Sequence, residues 1–349
     1  MKILYIGDDN LSSTSYHRAM ALKRIGETVT IVNPKKACSK FLSNNFLSKI
    51  HYHTGYIFLQ KIIYKWIKQV FSENSDYDLV WVNSGELLGA KAIEYISDDL
   101  NIKVILYNND DPTGGRDGRR FDSLLKAIPF YSICVVMREH NVAEYYNYGA
   151  QKVYRVTMSY DELFHKAFDN VEDIPNVLKS EIAFIGTWMR YENREQFLLK
   201  LIQANLPISI WGGRWHKSPL WSELKPFYKG ESLGGRDYVA AIQGAKICLG
   251  MLSKGNRDLH TTRSLEIPYA KGLLCAERTT EHMEMYKDGV EAVFWDDVEE
   301  CILKCRNLLQ NTAEIDAIKQ HGFQRVLKNK KGNEDICAKI LEQIISENK

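Results

Sequence analysis

Arg263 and Glu266 stand three residues apart in the stretch DLHTTRSLEIPYAKGLLCAE, directly after Thr261 and Thr262. If either threonine caps a helix there, the arginine and the glutamate fall within its first turn. A helix N-terminus presents unpaired N–H groups and the positive end of its dipole, which suit a diphosphate. Arg263 would add a charge-assisted bond to the same anion. The pair also reads as an exposed i, i+3 contact that supports a helix by about 0.2–0.5 kcal/mol. Both readings stand at this level.

Other groups invite chemistry by type and place. Asp258 lies eight residues before Glu266, and Arg194 opens a helical segment after a strand end, where it is a second candidate cation for a diphosphate. Asp110 and Asp111 follow a strand and precede Pro112. Paired aspartates can hold Mg²⁺, but a loop at a strand end fits better a carboxylate that contacts an acceptor or takes its proton. Aspartates before proline also simply form turns. Asp8, Asp9 and His17 belong to the first strand–loop–helix, and Arg116 to the electropositive run GGRDGRR at 114–120. These four are expected on the acceptor side. His140 is a lone histidine, of the kind that is most often structural. The seven cysteines contain no Cys-x-x-Cys pair, and Cys301 and Cys305, one helical turn apart, have no matched histidines. They read as small hydrophobes in a reducing compartment, with no metal and no cofactor expected.

The elements that must position these groups follow a repeated grammar. Ile3–Ile6 is a short apolar run, followed by the loop at Gly7–Asp9, Ser/Thr capping candidates, a helix through Met20 and Leu22 that ends at Gly26, and a second strand at Val29–Val32. That is a βαβ unit, which implies a parallel sheet with helices on its faces. Strand-like runs follow at Leu79–Val82, Val104–Tyr107, Ile133–Val136 and Val153–Val156. The pattern loosens at Tyr160–Lys179 and restarts at Ile182–Ile185, ending in Gly186, and at Ile208–Trp211, ending in Gly212. Further strands are expected at Ile247–Met251, Leu273–Ala276 and Ala292–Phe294. The reading is an acceptor-side α/β domain over 1–170, a linker over 171–180, a donor-binding α/β domain over 181–330, and a last helix over 331–349 that returns to the first domain. Two doubly wound Rossmann-like domains of similar size, closed by C-terminal helices, describe the GT-B architecture. Ligands of such sheets bind at the carboxyl ends of the strands, which in GT-B proteins face a cleft.

Three stretches then carry a resemblance. IAFIGTWMRYENREQFLLKLI, DLHTTRSLEIPYAKGLLCAE and GVEAVFWDDVEECILKCRNLL resemble, in that order, signature segments of the CgeB-like branch of the group-1 glycosyltransferases. YNNDDP resembles the same family's Asp-Asp-Pro segment in the N-terminal half. The resemblance covers most of 181–325. It implies a nucleotide-sugar donor site that includes Gly186, Arg194, Gly212, His260, Thr261, Thr262, Arg263 and Glu266. Glu266 would accept from both ribose hydroxyls, and the cations would meet the charge that develops on a UDP-like leaving group without a metal. Asp258-x7-Glu266 is similar to the Glu-x7-Glu pattern of retaining enzymes, whose first acid holds donor-sugar hydroxyls. Two positions depart from the family: aspartate stands at 258, and Lys271 stands where many relatives have glycine.

The formal net charge of +2 gives no global basic field for nucleic acid. No signal-peptide pattern opens the sequence, and no apolar run approaches the ~20 residues of a membrane span. A cytoplasmic protein is expected. In YIFLQKIIYKWIKQVF (56–71), Lys61, Lys65 and Lys68 recur at helical spacing beside Trp66 and Ile67. Such a helix either docks on an anionic membrane or packs its apolar face into a core. The function expected is sugar transfer from a nucleotide-diphosphate donor to a glycan or lipid-linked glycan, metal-independent and leaning towards retention. A non-catalytic nucleotide-sugar- or glycan-binding protein, or a sugar-nucleotide epimerase, shares the architecture.

Overall fold

The computed structural model describes residues 1–346. They form two compact units. The first comprises Met1–Thr157, the short segment Gly255–Arg257 and the last helix from Ile336; the second comprises Met158–Lys254 and Asp258–Asp335. Each is built on one six-stranded parallel sheet.

In the first unit the strands are β1 (Lys2–Ile6), β2 (Thr28–Val32), β3 (Leu79–Asn83), β4 (Lys103–Asn108), β5 (Ile133–Val136) and β6 (Val153–Arg155), in the order β2-β1-β3-β4-β5-β6. The runs of β1, β3, β4 and β5 are buried almost throughout. Strands covered on both faces need continuous apolar sequence rather than alternation, which is why these runs are so plain to read. Ser13 caps the helix Thr14–Arg24 by accepting from the Tyr16 amide at 3.0 Å. The helix Gln60–Glu73 buries Ile63, Ile67 and Phe71 at four-residue spacing, while Lys61, Lys65 and Lys68 face solvent. Its apolar stripe is therefore core. The exposed apolar groups lie just before it, at Phe46, Ile50, Ile57 and Phe58.

The second unit's strands are β7 (Ser180–Ile185), β8 (Ile208–Trp211), β9 (Tyr228–Gly230), β10 (Ala245–Gly250), β11 (Leu274–Glu277) and β12 (Val293–Trp295), in the order β12-β11-β10-β7-β8-β9. The stretch expected as a linker lies inside this unit as two short turns, Val171–Asp173 and Asn176–Leu178, with Ile174 and Leu178 buried. Asn333 opens the helix Asn333–Ser346 within the second unit, where its amide donates to the Tyr160 carbonyl at 2.8 Å and its Oδ1 accepts from Ser159 at 2.7 Å. From Ile336 onward that helix belongs to the first unit and buries Ile336, Cys337, Ile340 and Ile344.

Candidate active site

The carboxyl ends of β7 and β8 meet through glycines. The Gly186 amide donates to the Trp211 carbonyl at 2.8 Å, and the indole of Trp215 donates to the Gly186 carbonyl at 2.9 Å. A Cβ on Gly212, whose φ is +142°, would lie 2.0 Å from the Gly186 oxygen. Close backbone approach thus requires glycine at 212. Both expected donor-side glycines sit at strand ends, with a packing role of their own.

The loop into the helix Arg263–Tyr269 is held by His260, a residue expected in the donor site, and by Glu281, Ser264 and His282, which the sequence did not single out. His260 is buried: its Nε2 accepts from the Met158 amide at 2.9 Å, so its Nδ1 carries the proton and donates to Glu281. Both ring nitrogens are engaged within the protein. The Thr261 amide donates to Ser264 Oγ at 3.0 Å, Ser264 donates to His282 Nε2 at 2.7 Å, and His282 Nδ1 donates to the Glu277 carbonyl at 2.6 Å. Desolvation holds the His282 pKa down to about 4, against the opposing pull of the Glu277 carbonyl. Thr262 occupies the N-cap position without a side-chain bond to the helix. This corrects the capping expectation. The amides of Leu265 and Glu266 turn back to the Thr262 carbonyl and that of Ser264 to Thr261, so Ser264 and its histidine order the turn.

Arg263 is half-buried. Its Nε is sealed from solvent without a partner, and its guanidinium forms no ion pair among the described residues. With Tyr238, Ile185 and Leu249 it lines a narrow crevice beside β7 and β10. Glu266, one turn on, is buried. Tyr238 donates to its Oε2 at 2.6 Å, and His165 Nε2 lies 3.6 Å from its Oε1. His165 in turn accepts the Asp161 amide at Nδ1 (2.8 Å), which leaves the proton on the nitrogen that faces Glu266.

Arg194 is buried and spans two loops, donating to the Thr187 and Leu252 carbonyls at 3.0 Å each. It lines a cavity of about 190 Å³ with Glu192, Lys254, Glu277 and Trp295. Asp258 is buried as well, its amide donating to Ser253 at 3.3 Å. Lys271 follows the helix Arg263–Tyr269 at φ +57°. Its amide donates to Pro268 and that of Gly272 to Ile267, the paired bonds of a Schellman motif. The position where lysine departs from glycine is therefore one that favours glycine.

In the first unit the neighbouring aspartates differ in state. Asp111 has no exposed side-chain surface and receives Arg257 Nε and Nη2 at 2.6 and 2.7 Å and Asn141 at 2.8 Å. Burial alone would raise its pKa; Arg257 and Asn141 outweigh it and hold the carboxyl below the usual range. An aspartate bound in this way is poorly placed to move a proton. Among the described residues, the one ion-pair approach to Asp110 is that of Arg120 at 3.7 Å, and the closer partner of Arg120 is Glu86 at 2.6 Å. Desolvation raises its pKa, with Glu86 and Asp117 adding to the rise against Arg120.

A cavity of about 200 Å³ opens at the strand ends of this unit, lined by Asp8, Ser15, Asn33, Asn83, Glu86 and Arg120 among others. Asp8 contacts Lys35 at 3.3 Å, and Asp9 is bound by Asn33 and Lys36, which lower its pKa. His17 is buried with Nε2 donating to the Leu11 carbonyl at 3.0 Å. Arg116 lies 3.4 Å from Asp117. Of the four expected acceptor-side residues, only Asp8 lines the cavity. Among the described residues, the one set of three side chains with metal-ligand spacing is Cys275, Cys301 and Cys305, and it includes neither Asp110 nor Asp111.

Residues 194–341 match a family model described as glycosyl transferase-like. Over this segment, which is less than half of the chain, the protein is similar to glycosyltransferases. Solved structures agree in fold over nearly the whole chain. Sucrose-phosphate synthase from Thermosynechococcus elongatus superposes with a TM-score of 0.73 at 10% identity, covering 99% of this chain and 100% of its own. HepE from Anabaena, in complex with UDP-glucose, gives 0.66 at 11%, covering 99% and 100%. The trehalose 6-phosphate synthase of Burkholderia multivorans gives 0.66 at 12%, covering 100% and 99%. At such identities the likeness establishes the GT-B fold alone. No match was found among curated proteins.

Proposed function

We propose that this protein is a glycosyltransferase that takes a sugar from a nucleoside diphosphate donor held by the second unit and passes it to a hydroxyl acceptor, a glycan or lipid-linked glycan, held by the first. The carrying observation is Arg263: a half-buried guanidinium with no ion-pair partner among the described residues, one turn from the buried carboxylate of Glu266. A donor completes both. The diphosphate satisfies Arg263, and a ribose hydroxyl donates to the Glu266 oxygen that Tyr238 leaves open.

Asp258 holds hydroxyls of the donor sugar in this reading, and Arg194 keeps the loops after β7 and β10 in register while adding positive potential. UDP is the favoured leaving group, as in the HepE complex with UDP-glucose. Charge that develops on the diphosphate is met by arginines already in place, so the chemical step needs no divalent cation. Asp110, its pKa raised, is the first-unit carboxylate suited to take up an acceptor proton. The polar cavity at Asp8, Asn83 and Glu86 suits a sugar hydroxyl acceptor. The narrower likeness to CgeB-like enzymes rests on the three motif stretches and remains part of this proposal.

A panel of nucleotide sugars, scored for released nucleoside diphosphate with and without acceptor glycans in the presence of a chelator, tests the reading. Acceptor-dependent release is expected. Binding without turnover would favour the binding-protein reading, and interconversion of the sugar without release would favour the epimerase.

A further inference from the structure

Away from Arg263 and Glu266, three thiols meet inside the second unit. Cys275 lies on β11, and Cys301 and Cys305 lie one turn apart on the helix Val298–Leu309. All three are free and have no exposed surface. Their sulfurs lie within 4.8 Å of one another, with Cys301 and Cys305 at 4.0 Å. The lone buried thiol of Cys248 finds a carbonyl, that of Ile242 at 3.3 Å.

The spacing matches a ligand triangle. With a metal–sulfur bond of about 2.3 Å, three sulfurs around a trigonal ion stand about √3 × 2.3, or roughly 4.0 Å, apart. No histidine or carboxylate joins the set among the described residues. Zn²⁺ in structural sites takes four ligands, and hard cations take oxygen. Cu(I) is the soft ion that accepts three sulfurs alone.

We propose that Cys275, Cys301 and Cys305 form a trigonal all-sulfur site for one Cu(I) ion, tying β11 to the helix Val298–Leu309. The surrounding core is apolar, with Leu273, Val293 and Ile315 buried in the same cluster. Cysteine binds a metal as its thiolate, so Cu(I) enters as the three thiols give up their protons, and the copper draws the negative charge together in a core where lone charges are costly. The exchange is Cu⁺ plus three thiols giving the tris-thiolate copper complex plus three H⁺; no electron moves.

The full-length, fully reduced protein is equilibrated overnight without oxygen against Cu(I) held by bathocuproine disulfonate, with Zn²⁺ in parallel. One equivalent of copper should pass to the protein, releasing three protons and raising its thermal midpoint. Cys301→Ala and Cys275→Ser should each weaken retention at least 100-fold, while Cys134→Ala, in β5 of the other unit, should not. X-ray absorption of the loaded wild type should show three sulfur neighbours, a readout that stands even if a variant fails to fold. No copper drawn from the chelator, equal retention by Cys301→Ala or tighter binding of Zn²⁺ would each overturn the proposal.

Discussion

Tyr238 Oη donates to Glu266 Oε2 at 2.6 Å, and His165 Nε2 stands 3.6 Å from the other oxygen. One side of the carboxylate is already bonded, so the expectation of two ribose hydroxyls on Glu266 narrows to one new bond at Oε1. A hydrogen bond to a charged group is worth about 1.5–3 kcal/mol. Glu266→Gln should therefore weaken nucleoside diphosphate binding roughly 10- to 100-fold, given that 1.4 kcal/mol is about a factor of ten. Arg263→Lys keeps the charge and loses the planar fork. It should weaken the diphosphate more than the bare nucleoside. Calorimetric titration of both folded variants decides; unchanged affinity in both would mean the donor site lies elsewhere.

A membrane contact would run through the exposed apolar groups rather than the lysine-bearing helix alone. Phe46 and Phe58 keep 71% and 66% of their surface, and Phe58 lies beside His51 of the helix Asn45–His53. Full burial of a phenylalanine side chain is worth about 1.5–3 kcal/mol, and a lysine near an anionic surface about 1 kcal/mol. Replacing both phenylalanines with serine should lower partition onto anionic vesicles at least 10-fold. Changing Lys61, Lys65 and Lys68 to glutamine should remove the salt sensitivity. Equal partition by wild type and both variants sinks the idea.

The two sheets could be read because buried parallel strands are written as unbroken apolar runs, as at Ile182–Ile185 and Ile208–Trp211. The edge strand β9 escaped, since Tyr228–Gly230 is three residues with no such run. The placing of Arg263 and Glu266 one turn apart on a helix was legible because one local segment carries both. Contacts made by distant residues were not. Tyr238 reaches Glu266 across 28 positions, and Arg257 reaches Asp111 across 146. His260 illustrates the limit in reverse. It stands inside the motif, yet both its nitrogens serve the protein's own backbone and Glu281.

Lys271 offers a test of backbone strain beside the site. Left-handed backbone costs an L-residue about 1–2 kcal/mol, whereas glycine gives up about 0.5–1 kcal/mol of unfolded-state entropy. The lysine ammonium also lies 5.4 Å from the Phe323 ring, a contact worth about 0.5 kcal/mol at an exposed site. Lys271→Gly should stabilise the protein by about 0.3 kcal/mol, and Lys271→Ala should destabilise it slightly. Urea midpoints of the two variants against wild type show the order; alanine above glycine would refute the strain.

His282 should make stability depend on pH. It is buried between Ser264 and the Glu277 carbonyl and stacked on Phe294 at 5.3 Å, with its pKa lowered from 6.5 to about 4. The folded protein therefore holds this ring neutral at pH values where the unfolded chain has already protonated it. Its contribution is fully present above pH 6.5 and is lost as pH falls from 6.5 towards about 4. A shift of this size corresponds to about 3 kcal/mol at 1.36 kcal/mol per unit. Urea unfolding at pH 7.5, 6.0, 5.0 and 4.5 should show wild type losing stability over this range more steeply than His282→Gln, whose side chain does not titrate. The His282 ring resonance should stay in its neutral position down to near pH 4. Parallel pH profiles for the two proteins, or a ring that titrates near 6.5, would show that the Thr261–Ser264–His282 chain does not hold the loop in the way its geometry indicates.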